Sequence, residues 1–387
     1  MTKKMILILL LMAAGLSFTL IDNNRFDMRH IDNFLKHEVV EGKTPSVQYC
    51  FFDTDSVIYT FTDGYADVKN RRPVDAHTTY NLFSVTKTIT ALAVLQLAEE
   101  GKVDLKKPAS VYLPNFPYPN NITVEQLLNH SSGIPNPMPL KWIHLETEHV
   151  AFQRDPFFRT VFQNNKALKS EPGTRFFYSN LGYVLLGQII ETVSGKSYEA
   201  YVTEKIIQKA GIDTSSLGFT IHPVLHAKGY QKAWSFMNLA LDFLLDKRKY
   251  MDTKEGAWKP FKHFYSNGTS YGGMIGSRQG LVKYGQALLK SDSLLLRPSS
   301  RHLLFQENVI GGKPTGMSFS WYTGNVKNHS YVAHAGGGGG YYIELRLYPD
   351  LGVGSVILFN RSGMKDERLL DKADSFFLTE KQQAASM

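Results

Sequence analysis

Strand-like patterning is confined to the two ends of this 387-residue chain, and a long middle of helical spacing punctuated by Pro, Asn and Gly separates them. Near the start, residues 46–52 and 57–67 read as two strands joined by a turn at Asp53-Thr-Asp55. Near the end, 318–322, 330–334, 341–348 and 354–359 read as four more. An isolated hairpin is marginal in water, so strands at opposite ends of a chain gain most by joining one sheet. The expected class is α/β (α+β): an antiparallel β-sheet built from both chain ends and flanked by helices, with a mostly helical second lobe. The corresponding segments are 22–101 and 286–378 for the sheet lobe, 102–285 for the helical lobe and 379–387 for a tail. A cleft between two lobes is a natural place for a substrate.

Helical spacing is clearest at 26–40, through Phe26, Ile31, Phe34 and Leu35, and at 86–100, through Ile89, Leu92, Leu95 and Leu97. Gly101 is placed to end the second of these. Further helices are expected at 124–129, 181–194, 198–210, 280–289 with Ser277 as its cap, and 366–377.

Hydrophobic residues make up 43% and charged residues 20%, which suits a packed core and excludes wholesale disorder. The net charge of +8 is scattered, with no Lys/Arg run of the kind that binds nucleic acid. Residues 1–20 differ from the rest: Lys3 and Lys4, an apolar run over 5–12, then the small residues Ala13, Ala14, Gly15 and Ser17. That is the pattern of a signal peptide cleaved between Gly15 and Leu20, with an uncleaved anchor as the alternative. The run is short beside the ~20 residues of a spanning helix, so an exported protein, periplasmic or secreted, with no stable membrane span is expected. Cys50 is the only cysteine, which precludes an intrachain disulfide, and its strand-like setting suits a core thiol.

Three short motifs could carry chemistry. Ser84-Val-Thr-Lys87 opens the 86–100 helix, where free backbone N–H groups favour developing negative charge. Lys87 stands three residues on, beside Ser84, and a desolvated amine could take the hydroxyl proton. Ser362-Gly-Met-Lys365 repeats the spacing, so this motif alone says little. Tyr178-Ser-Asn180 pairs a phenol suited to proton relay with an amide suited to orienting a carbonyl. Tyr118-Pro-Asn120 repeats that spacing in a loop. His334-Ala-Gly336 ends a strand and Gly337 follows, leaving a strand edge open to a ligand.

In this order the three motifs resemble the serine β-lactamase and penicillin-binding-protein superfamily, most of all the branch of class C β-lactamases, D-amino-acid peptidases and β-lactamase-like esterases. Longer matches carry the resemblance from about residue 26 to 378: Leu127-Leu-Asn-His-Ser-Ser-Gly-Ile-Pro135, Glu171-Pro-Gly-Thr-Arg-Phe-Phe-Tyr-Ser-Asn180-Leu-Gly-Tyr183 and Gly272-Gly-Met-Ile-Gly-Ser277. The resemblance implies a Ser84 acyl-enzyme, proton transfer shared by Lys87 and Tyr178, and a substrate side chain held by Asn180. It also implies an oxyanion hole from the backbone N–H groups of Ser84 and Gly337, with His334 and Gly336 on the cleft edge. No metal or organic cofactor is implied, and the partner is a small-molecule or peptide substrate, cell-wall fragments among them. His334 departs from the lysine usual in β-lactamases, and a mostly neutral imidazole is poorly suited to binding a carboxylate.

Other readings make distinct predictions. Gly268-Thr-Ser270-Tyr-Gly272 fits a nucleophile elbow but lacks an apolar strand before it and a helix directly after. His144 and His149 flank Glu146 and Glu148 without metalloprotease spacing, and His130 reads as a structural hydrogen-bonding residue. A non-catalytic sensor, acylated without turnover, is the alternative from another functional class.

Overall fold

The computed structural model describes residues 28–235, 245–292, 294–362 and 368–378. The expected signal peptide, the expected tail and Lys365 lie outside these residues. Among the described residues, no helix is long and apolar enough to cross a membrane.

The elements that position the site run as follows. Helix α1 (Met28–Val40) precedes strands β1 (Ser46–Asp53), β2 (Val57–Asp67) and β3 (Arg72–Pro73), and then α2 (Thr86–Glu99). The middle supplies α3 (Val124–Leu128), α4 (Asn180–Ser194), α5 (Thr269–Gly272) and α6 (Arg278–Leu289). The chain closes with β4 (Tyr322–Val326), β5 (His329–Gly338), β6 (Tyr341–Tyr348), β7 (Val353–Phe359) and α7 (Leu369–Asp374).

Seven strands form one sheet in the order β4-β5-β6-β7-β1-β2-β3. Both chain ends contribute, and their seam is the antiparallel pairing of β1 with β7, Val47 opposite Phe359 through Asp53 opposite Val353. Helices flank this antiparallel sheet as the sequence leads one to expect.

The central strands are buried on both faces, which is why they read as nearly continuous apolar runs. Alternation divides them between two cores. Cys50 and Phe52 of β1, with Val356 and Leu358 of β7, face the main core that includes Ile89, Leu92 and Leu95 of α2. Val47, Tyr49 and Phe51, with Ile357 and Phe359, face a second core under Ile31 and Leu35 of α1 and Leu369 and Leu370 of α7. The Asp374 carboxylate fastens that outer layer by accepting from Tyr49, Tyr348 and Ser355 at 2.7–2.8 Å.

Several elements differ from the sequence reading: the helix expected at 198–210 is α-helical only over Tyr198–Val202 and continues as a π-helical turn over Thr203–Ile207. The strand expected at 318–322 instead begins at Tyr322, because a two-residue turn at Lys327 and Asn328 (φ 45° and 66°) sets Val326 opposite His329 and Tyr322 opposite Ala333. Residues 318–321 turn back, with the Ser318 N–H donating to the Trp321 carbonyl at 2.7 Å. The helix expected to reach 377 ends at Asp374, and tighter i→i+3 bonds carry the chain through Phe376 and Phe377.

One consequence of that register shapes the site. Since β4 starts opposite Ala333, the stretch of β5 beyond it is paired with β6 on one side only. The Ser84 segment packs against this otherwise open edge.

Candidate active site

Ser84 sits in a short 3-10 turn, Phe83–Val85, that leads into α2. Phe83 before it has a φ of 45°, a conformation costly for a residue with a Cβ, by roughly 1–3 kcal/mol. Two bonds hold the turn on its neighbours: the Leu82 N–H donates to the Met274 carbonyl at 2.9 Å, and the Thr86 hydroxyl accepts from the Met274 N–H at 3.1 Å.

Lys87, one turn on, is fully buried. Its Nζ lies 2.9 Å from Ser84 Oγ and donates to the Tyr271 carbonyl at 2.8 Å. Burial drives its pKa well below the ordinary lysine value. The rings of Tyr178, Tyr271 and Tyr183 stand 5.1, 5.3 and 5.8 Å from Nζ and favour the ammonium. Each such contact is worth about 2 kcal/mol at best, against several for desolvating a cation that, among the described residues, no carboxylate pairs with. The net direction is downward, which favours the neutral amine.

Tyr178, from the loop before α4, reaches the same oxygen, its hydroxyl donating to Ser84 Oγ at 3.1 Å. Burial holds the phenol above its usual range, so it carries its proton at neutral pH. Ser179 caps α4 by accepting from the Gly182 N–H at 3.1 Å, which places Asn180 at the helix start. The Asn180 N–H donates to Asn136 Oδ1 at 3.1 Å, while its own Oδ1 is buried without a protein partner.

The third motif comes from β5. The His334 ring is only 1% exposed, and its Nδ1–H donates to the Ser320 carbonyl at 2.5 Å. Burial first, then the neighbouring Lys87, holds its pKa down at about 3, so the imidazole is neutral. Gly336 lies so close to the nucleophile that an added Cβ would stand 2.0 Å from the Leu82 carbonyl oxygen and 3.1 Å from the Ser84 nitrogen. At Gly337 the same atom would meet nothing nearer than 3.7 Å.

This contrast makes a prediction. Gly336→Ala should push β5 off the Ser84 turn, lowering Tm and cutting kcat by about 10²-fold, the scale of an ångström-sized misplacement. Gly337→Ala should leave Tm near wild type. Equal Tm and turnover for all three proteins would contradict the close packing described here.

The competing motifs fall elsewhere. Ser270 is buried, and its hydroxyl donates to the Tyr183 carbonyl at 2.9 Å. The segment that mimics an elbow is instead the floor beneath Lys87, since the next residue supplies the Tyr271 carbonyl. The Ser362 hydroxyl donates to Gln231, and the Tyr118 hydroxyl donates to the Asn165 carbonyl. His144 bonds to Asn267 and His149 at 2.8 and 2.9 Å. Sequence reasoning did not find the Tyr271 and Ser320 carbonyls, because every residue type carries one.

Comparison with known proteins identifies the family and the fold. The family model described as Beta-lactamase matches residues 30–377. Penicillin-binding protein 4* of Bacillus subtilis (strain 168) is 28% identical over 302 residues, which cover 76% of this chain and 63% of that protein. The chain thus spans less than two thirds of that relative's length. Among solved structures, the octameric penicillin-binding protein homologue from Pyrococcus abyssi has a TM-score of 0.73 at 26% identity, over 92% of this chain and 78% of that one. EstCE1, a hydrolase with promiscuous acyltransferase activity, shares the fold with a TM-score of 0.72 at 19% identity, over 91% of this chain and 98% of its own.

Proposed function

Since the chain belongs to the Beta-lactamase family and has its serine hydrolase fold, we propose that it is an exported enzyme, periplasmic or secreted, that cleaves ester, amide or D-amino-acid peptide bonds through a Ser84 acyl-enzyme. The observation that carries this reading is the convergence of Lys87 Nζ and the Tyr178 hydroxyl on Ser84 Oγ, at 2.9 and 3.1 Å. Lys87 takes the hydroxyl proton as Oγ bonds to the substrate carbonyl carbon. The N–H groups of Ser84 and Gly337 hold the oxyanion. The intermediate collapses, Tyr178 hands a proton to the leaving group, and the proton on Lys87 restores the phenol. Water then attacks the acyl carbon, its proton passes through the neutral Lys87 to Ser84 Oγ as the Oγ–acyl bond breaks, and the acid is released. Asn180, with a buried acceptor unused by the protein, orients the acyl side chain.

The neutral His334 shapes the preference. A carboxylate beside it gains no cation, so uncharged esters and amides are favoured over carboxylate-bearing β-lactams. A carboxylesterase role fits this preference best; a DD-peptidase-like role, whose substrate ends in a carboxylate, and weak β-lactamase activity rank below it.

A panel tests the proposal: p-nitrophenyl butyrate, a chromogenic cephalosporin and a D-alanyl-D-alanine peptide, assayed on exported protein whose N-terminus is read in the same preparation. The ester is expected to give the highest kcat/KM and the cephalosporin the lowest, with the N-terminus between Gly15 and Leu20. No turnover of any of the three, with a lasting adduct on Ser84, would favour the sensor over the enzyme.

A further inference from the structure

Tyr178 reaches Ser84 from a loop, and side chains on loops are held less firmly than those on helices or strands. A single residue across the loop supplies the missing constraint. His130 follows α3, is fully buried and has a left-handed φ of 57°. From there it grips three consecutive residues with three different parts of itself. Its carbonyl accepts from the Phe177 N–H at 2.7 Å. Its ring stacks on the Tyr178 phenol, with centroids 4.3 Å apart and planes 29° from parallel. Its Nδ1 accepts from the Ser179 N–H at 3.1 Å.

The tautomer follows from the last bond. With Nδ1 accepting, the proton sits on Nε2, which is buried without a protein partner. An unpaired buried donor is destabilising. A phenylalanine would stack as well without that cost, so packing alone does not account for an imidazole, whereas the Ser179 N–H does. The titratable groups facing the ring are Lys87, His334, Tyr178 and Tyr183. Burial first, then Lys87 and His334, keeps it neutral and so keeps Nδ1 an acceptor.

Granted the catalytic roles proposed above for Ser84 and Tyr178, we infer that His130 is a positioning residue that sets the Tyr178 phenol at its working distance from Ser84 Oγ. It touches no reacting atom; it acts through Tyr178. His130→Asn is the informative variant, because Asn tolerates a left-handed backbone and offers an acceptor to Ser179 but cannot stack.

The test is a double-mutant cycle on p-nitrophenyl butyrate. In the wild-type background His130→Asn is expected to lower kcat by about 10–100-fold with KM nearly unchanged. In the Tyr178→Phe background the same change should alter kcat by less than about twofold, because the group it positions is gone. Wild-type kcat in folded His130→Asn, or an equal loss in both backgrounds, would overturn the inference. If His130→Asn does not fold, His130→Phe is judged by the same two criteria, and failure of both to fold assigns the residue to stability alone. Wild-type turnover by Ser84→Ala would instead remove the underlying serine mechanism.

Discussion

Ser84→Ala is expected to lower kcat for p-nitrophenyl butyrate by about 10⁴-fold or more, leaving only what binding and oxyanion stabilisation supply. The loss is large because the other serine in a suggestive motif is already committed. Ser270 spends its hydroxyl on the Tyr183 carbonyl at 2.9 Å. Ser270→Ala should therefore keep kcat within about twofold of wild type, while costing roughly 1 kcal/mol of stability for the lost bond. Parallel kinetics and thermal melts of the two variants check this. The reverse ranking, with Ser270→Ala dead and Ser84→Ala active, would invert the assignment.

Lys87→Arg should be nearly as damaging, with kcat down by about 10³-fold, although the charge class is conserved. A guanidinium does not give up its proton in proteins, so it cannot serve as the base. It also brings a larger planar head and a fixed charge to a site where, among the described residues, no carboxylate pairs with Lys87. The wild-type pH profile carries the same information. Burial lowers the Lys87 pKa, so the active neutral amine persists well below the ordinary lysine value and is lost only as pH falls through the depressed one. Plots of kcat/KM against pH should thus fall toward acid with a midpoint well below the ordinary lysine pKa. Activity that rises only as pH approaches the ordinary lysine pKa, or a Lys87→Arg enzyme within tenfold of wild type, would show that Lys87 is not the base.

Much of this architecture was legible before any coordinates. Strands β1 and β7 announced themselves because both faces are buried, which leaves long apolar runs at the two ends of the chain. Ser277 as a cap and Gly101 as a stop were readable from side-chain chemistry, and Ser277 does accept from the Gly280 N–H at 3.1 Å. The register of β4 was not, because Lys327 and Asn328 adopt positive φ without the glycine that usually signals such a turn.

The site divides along the same line. Ser84, Lys87, Tyr178 and His334 converge as their motifs and flanks implied, because side-chain chemistry is written in residue type. What holds Lys87 and His334 in place was hidden. The Tyr271 carbonyl under Lys87 and the Ser320 carbonyl on His334 are backbone atoms, placed by the fold and not by composition. His130 was readable as a structural hydrogen-bonding residue, but its three-part hold on 177–179 depends on a left-handed backbone that a histidine does not advertise.

The most direct test of the account is the mass of the protein after treatment with a fluorophosphonate, followed by peptide mapping. The serine oxygen displaces fluoride from phosphorus, and the hydroxyl proton passes to the neighbouring base. One phosphonyl group per chain is expected, on the peptide that contains Ser84, and Lys87→Arg should label far more slowly. Labelling at Ser270 or another residue, or an unlabelled Ser84 in a protein that still turns over the ester, would contradict the account.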